Sequence, residues 1–217
     1  MNNSTIRLRR LCVMALLCAM AFAAVALIRI PVVAFLKYEP KDVMLVIGGF
    51  LFGPLASGIM ATVVSLIELV SVSDTGIIGC AMNILSSCLF ACTAAAIYHR
   101  RRNLTAAVIG LVCGALAATA GMLLWNYLIT PLYMELPRQA VVEMLLPVFL
   151  PFNLFKTALN SALTLLIYKS IVKALRASRL LPPTESNGDK PRRAVWVVAL
   201  SSLLTLVIVL LVWRGII

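Results

Sequence analysis

A few polar side chains stand inside runs of sequence otherwise too apolar to meet water. Lys156 lies in PFNLFK, three residues after Asn153. On a helix these two share a face, so an amide and an ammonium are offered to one partner. An ammonium at mid-bilayer costs about 2.5–3.5 kcal/mol on insertion scales, so it needs a reason. The reasons open to Lys156 are a ligand contact, snorkelling to the interface, or a structural pair with Glu68. Asn126 sits in WNYLITPLY, between Trp125 and Tyr127. Its amide donates and accepts, which suits hydroxyl or amide groups on a small molecule. The flanking rings fit a binding wall or an interfacial aromatic belt equally well. Asn83 fits a ligand contact or a helix cross-link. Glu68 fits a ligand contact, a helix–helix bond or a proton site.

These residues need apolar elements to hold them, and the composition supplies little else. The chain has 217 residues, 62% hydrophobic and 12% charged. An average soluble domain is roughly 45–50% apolar and about 25% charged. A chain this short cannot hide so much apolar surface in a water-facing globule. An ordinary soluble domain, a disordered chain and a disulfide-stapled module are all excluded. The expected fold is an all-α integral membrane protein.

The apolar runs give the crossings. Residues 11–28 form the first, behind Arg7, Arg9 and Arg10. RIPVVAFLKYEPKD (29–42) cannot be one continuous helix because of Pro31 and Pro40. It is too apolar for a plain solvated loop, and a lid folded back over the protein is expected there. Residues 43–52 make a short helix of about 15 Å, broken by Gly53-Pro54. Crossings follow over 55–72, 76–98, 104–132 and about 147–168, with a polar connection at 133–143. A basic linker separates these from a last apolar run of twenty residues, 194–213, long enough to span. The expected segments are therefore 1–10 at the amino terminus, a six-helix membrane domain over 11–173, a linker over 174–193, and a seventh helix within 194–217.

Charge orients this arrangement. The sequence holds 19 Lys and Arg against 8 acids. With a cytoplasmic amino terminus, thirteen of the basic residues fall inside and five outside, with Lys156 within a crossing. That asymmetry is the expected one for a multi-pass protein of the cell membrane. The basic excess therefore belongs to membrane-flanking loops and anionic lipid rather than to nucleic acid.

Missing motifs narrow the function. No G-x-x-x-x-G-K-[ST] is present, so the chain binds no nucleotide through a P-loop. With one histidine, His99, no H-E-x-x-H or Ser-His-Asp set can be assembled, and no catalytic residue is named. Cys88 and Cys92 share a helical face but have no nearby carboxylate or histidine to complete a metal site. They read as small packing residues. Ala15, Ala19 and Ala23 recur at four-residue spacing, a face that admits a close helix from this chain or from a partner.

Read in order, AFLKYEPKDVMLVIGGFLFGPLASGI, MNILSS, WNYLITPLY and PFNLFKTALNSALTLLIYK resemble the riboflavin-specific S components of energy-coupling factor (ECF) transporters, the RibU family. The resemblance runs from about Leu11 to Lys173. It implies a six-helix membrane protein that captures riboflavin at the extracellular side for ATP-driven uptake. It implies a transmembrane T subunit and two ABC-type ATPases as partners, met through Ala15, Ala19 and Ala23. It implies no enzyme activity and no cofactor, the flavin being the transported substrate. The family's motif positions carry over to Asn126, Asn153 and Lys156. Leu36, Tyr38 and Asp42 of the first outer loop are expected to cover the site, with Tyr127, Glu68 and Asn83 as further contacts. An S component or small carrier for another vitamin or solute is the alternative. The seventh helix departs from the six-helix family core.

Overall fold

The computed structural model describes residues 3–33, 36–73, 75–135, 137–178 and 180–181. The expected helix at 194–213 and most of the linker before it lie outside these residues. Helix α1 spans Asn3–Leu27. A small antiparallel hairpin follows, β1 (Ile30–Val33) against β2 (Leu36–Tyr38), pairing Ile30 with Tyr38 and Pro31 with Lys37. Pro31 accounts for the change of structure: it lacks the N–H a helix would need and tolerates an edge strand.

Helix α2 (Lys41–Phe52) begins directly after Pro40. It stops at Gly53, whose φ of 101° favours glycine. Pro54 then opens α3 (Pro54–Ser71) at the first helical position, where a missing N–H costs nothing. Helix α4 (Gly76–Arg101) carries a π turn at Cys88–Cys92. After a left-handed Arg102, the Asn103 side chain accepts the Ala106 N–H at 2.8 Å and caps α5 (Leu104–Met134). Helix α6 (Arg138–Ala177) carries a second π turn at Leu145–Phe149. The connection expected over 133–143 is thus shorter than the sequence suggests. Met134 still belongs to α5, and Arg138–Met144 already forms the first turns of α6.

Among the described residues, five helices are long and apolar enough to cross a membrane: α1, α3, α4, α5 and α6. Helix α2 is the exception, only 12 residues long, or about 18 Å. After Asp42 it is apolar on every side, the pattern of a helix buried on all faces. Val43, Leu45, Val46, Ile47 and Phe50 are all buried, and α1, α3, α4 and α6 surround it. The outer faces of the long helices expose Leu66, Val70, Val112, Leu116, Leu124 and others. In water such a belt would be an aggregation surface; in a bilayer it is the lipid-facing surface.

Helices α4 and α5 approach closely because α5 carries glycine where they touch. A Cβ on Gly110 would lie 2.6 Å from the Ala94 carbonyl oxygen, and one on Gly114 2.5 Å from that of Phe90. Small residues at four-residue spacing permit that backbone approach. It fixes α4 against α5, the two helices that carry much of the site described next.

The bundle has two distinct ends. One carries the hairpin, the α3–α4 turn and the start of α6. The other carries the start of α1, the Gly53-Pro54 break and the end of α4. There, Arg10 Nη2 donates to the Phe52 carbonyl at 3.1 Å and His99 Nε2 lies 3.0 Å from the Gly49 carbonyl oxygen. The face of α1 bearing Val13, Leu17, Ala21 and Val25 is buried in the core. Ala15, Ala19 and Ala23 lie on its exposed side, uncovered among the described residues.

Candidate functional site

A cavity of about 290 Å³ lies at the hairpin end, between the hairpin, α4, α5 and α6. Helical periodicity decides what each helix shows it. From α5 the stripe is Met122, Trp125, Asn126, Ile129 and Thr130, positions three and four apart on one face. From α6 it is Phe152, Asn153 and Lys156. From α4 it is Ile78, Gly79, Met82, Asn83 and Ser86. Arg29, Leu36, Lys37 and Glu39 close the cavity from the hairpin segment. The walls are largely apolar, with a few polar groups set among them, the usual character of a small-molecule site.

Both cavity asparagines are braced by their own helices. Asn126 Nδ2 donates to the Met122 carbonyl at 2.7 Å, and its Oδ1 accepts from Thr130 Oγ1 at 2.8 Å. Asn153 Nδ2 donates to the Phe149 carbonyl at 2.8 Å, an acceptor inside the π turn of α6. An asparagine amide has two donors and a two-lone-pair acceptor, so each keeps capacity for a ligand while its rotamer is held. Lys156 Nζ is 3.9 Å from Asp42 Oδ2. That separation is ionic but too long for a hydrogen bond.

Behind the cavity wall runs a network of buried charges. Lys41, with 0% exposure, donates to Glu68 Oε2 at 2.6 Å and lies 3.6 Å from Glu39 Oε2. Asn83 Nδ2 donates to the same Glu68 oxygen at 3.1 Å. Arg29 bonds Glu39 Oε1 at 2.9 Å and the Val72 carbonyl at 2.6 Å, tying the hairpin to the α3–α4 turn. Asp42 accepts from Ser87 Oγ at 2.5 Å and from Asn160 Nδ2 at 3.3 Å. Three cations, Arg29, Lys41 and Lys156, thus face three carboxylates, Glu39, Asp42 and Glu68. Isolated buried charges would be prohibitive, and this balance is what makes the burial tolerable. At Glu39, burial pushes the carboxyl pKa up, but Lys41, Lys156 and Arg29 outweigh it and hold it below the ordinary value. At Tyr38, burial and the Asp42 charge push the hydroxyl pKa up, so it remains a donor.

Of the residues expected from sequence, Leu36, Asn83, Asn126, Asn153 and Lys156 line the cavity. Tyr38, Asp42 and Glu68 do not; they stand in the buried layer behind it. Tyr127 lies off the α5 stripe, 37% exposed, with the Arg138 guanidinium 5.5 Å from its ring centroid. The pair considered between Lys156 and Glu68 is not formed. Glu68 is taken by Lys41, and Lys156 stands nearest Asp42. Sequence reasoning did not single out Arg29, Glu39, Thr130 or Met82 as site residues. For Thr130 the signal was present, four residues from Asn126 along the same stripe; Met82, adjacent to Asn83 rather than a turn from it, carried no such signal. For Arg29 and Glu39 it was absent as well, because only the hairpin fold brings them over the cavity.

Comparison with known proteins agrees with this architecture. Residues 9–168 match the family model for the substrate-specific component of ECF transporters. The riboflavin transporter RibU of Staphylococcus aureus (strain TCH60) is 29% identical over 178 residues, 77% of this chain and 93% of that protein. A solved structure described as "Structure and mechanism of the S component of a bacterial ECF transporter" superposes with a TM-score of 0.65 at 28% identity, over 78% of this chain and 99% of that one. The five membrane-length helices around α2, the cavity at one end and the match over most of the chain place it among the substrate-specific components of ECF transporters.

Proposed function

We propose that the hairpin-end cavity captures riboflavin, and that this end faces the outside of the cell while the amino terminus is cytoplasmic. The observation that carries the reading is the convergence of Asn126, Asn153 and Lys156 on one largely apolar cavity in a chain similar to a riboflavin transporter. A flat, aromatic ring system suits Trp125, Phe152 and the methionine walls. Ring carbonyls and chain hydroxyls suit the Lys156 ammonium and the asparagine amides. Nothing in this arrangement calls for bond-making; its chemistry is recognition. Energy for uptake then comes from partners, a transmembrane T subunit and two ABC-type ATPases. The exposed Ala15, Ala19 and Ala23 face of α1 offers the T subunit a surface of close approach.

The test is to purify the chain from riboflavin-supplemented cells and measure flavin absorbance and fluorescence quenching. Lys156→Ala removes a charged donor, and a loss of roughly 10–100-fold in affinity is expected. Asn126→Ala is expected to cost about tenfold or less. A colourless protein that does not quench riboflavin would remove the substrate while leaving the family standing, and a vitamin panel would follow.

A further inference from the structure

We propose that Asn160 is a positioning residue for ligand capture: it fixes Asp42 and Tyr38 to α6 and so keeps the Lys156 ammonium available to the cavity. The affinity part of this rests on the riboflavin reading above. Asn160 does not line the cavity and has 0% exposure. An amide so placed must find partners or lose its solvation without return. It finds two. Its Oδ1 accepts from Tyr38 OH at 2.9 Å, and its Nδ2 donates to Asp42 Oδ2 at 3.3 Å. Tyr38 ends the hairpin and Asp42 lies in the first turn of α2, so one side chain holds both ends of the short segment that presents Glu39 to the cavity.

The consequence for Lys156 follows from how the Asp42 oxygens are shared among donors. Lys156 lies one helical turn before Asn160, on the same face. Asp42 Oδ1 is engaged by Ser87 and Oδ2 by Asn160. Lys156 is left at 3.9 Å, close enough to keep a counter-ion but not hydrogen-bonded to it. Take Asn160 away, and Oδ2 loses its competing donor, so the ammonium can close from 3.9 Å to hydrogen-bond distance. The lysine then turns toward Asp42 and away from a ligand.

Two measurements on the full chain in detergent test this. The first is a double-mutant cycle on riboflavin affinity with Asn160→Leu and Lys156→Ala. Asn160→Leu alone is expected to raise Kd roughly 3–10-fold, and to add less than about twofold on top of Lys156→Ala, since both act through one ammonium. Equal effects in the two backgrounds would overturn the role, because a merely structural defect does not vanish with the lysine. The second needs no flavin: amide hydrogen exchange across residues 36–46 in wild type, Asn160→Leu and the milder Tyr38→Phe, which keeps its ring against Phe155. Faster exchange of this segment in both variants supports the tie, and unchanged exchange in both overturns it. If wild type fails to bind riboflavin, the substrate reading falls and the exchange result alone decides the role of Asn160.

Discussion

At the hairpin end Lys41 has 0% exposure and Glu68 2%, whereas at the opposite end Arg100, Arg101 and Arg102 stand in solvent. Both ends are rich in charge, but the physical roles differ. An exposed arginine gains little from any one partner and is screened by salt. Its value is collective, setting which side of a membrane a loop occupies. A buried lysine has no such freedom. Its desolvation must be offset by a partner held at good geometry, and that demand fixes the structure around it. The cavity therefore sits where charges are buried, and the arginine cluster sits at the other end, in solvent. The cores differ in the same sense. Around α2 the packing is apolar, through Leu17, Val46, Ile47 and Phe50. At the hairpin end only a small cluster, Leu36, Val141, Phe149 and Phe152, closes over polar neighbours.

The contrast breaks first at Lys41. Lys41→Met removes the cation between Glu68 and Glu39 and leaves both carboxylates facing each other in a buried site. A loss of about 3–5 kcal/mol in stability is expected. It is read as a lower unfolding midpoint in detergent, whether or not a ligand is present. Lys41→Met combined with Glu68→Leu should recover part of that loss, because no uncompensated charge remains. A single variant as stable as wild type would mean the ion pair does not organise the site.

A smaller effect is expected at Glu39, and its sign is set by the shifted pKa. The carboxyl is held below its ordinary value in the folded protein. Glu39 therefore contributes stability that is full above the ordinary glutamate range and is lost as pH falls through the lowered folded value. Unfolding midpoints measured from neutral pH into acid should decline more steeply in wild type than in Glu39→Gln. Parallel curves would assign the acid sensitivity to other carboxylates.

Much of this arrangement is legible in the residues themselves, and what is not has identifiable causes. The short apolar run ending at Gly53-Pro54 gives α2, because glycine and proline punctuate a chain irrespective of tertiary context. The three-residue spacing of Asn153 and Lys156 gives their common face. Tyr127 illustrates a signal present but unused: once Met122, Asn126 and Ile129 set the phase of α5, Tyr127 turns more than a quarter of a circle off their stripe, while Trp125 and Thr130 stay on the cavity side. Glu68 illustrates a signal that is absent. Lys156 and Glu68 are both charges inside apolar runs, so pairing them is the economical reading. The true partner, Lys41, looks like part of a loop until α2 is seen to begin at that residue. Of the two π turns, that at Cys88–Cys92 has no sequence mark, while that at Leu145–Phe149 contains Pro147, which removes a helical hydrogen bond. The second of them places the Phe149 carbonyl that braces Asn153.

The smallest expected effect sharpens the comparison from the other side. Arg100→Gln combined with Arg101→Gln removes two positive charges from the end of α4, far from the cavity. Both side chains are exposed, and the last turn of a helix favours cations only weakly once salt screens them. Riboflavin affinity should change by less than about twofold, and the unfolding midpoint should hardly move. On the proposed topology these arginines decide orientation, so the same variant should show a measurable inverted fraction when cysteine accessibility is mapped from each side of the membrane. If affinity fell together with orientation, the two ends would be energetically coupled, and the division between buried charges that build the site and exposed charges that orient it would have to be abandoned.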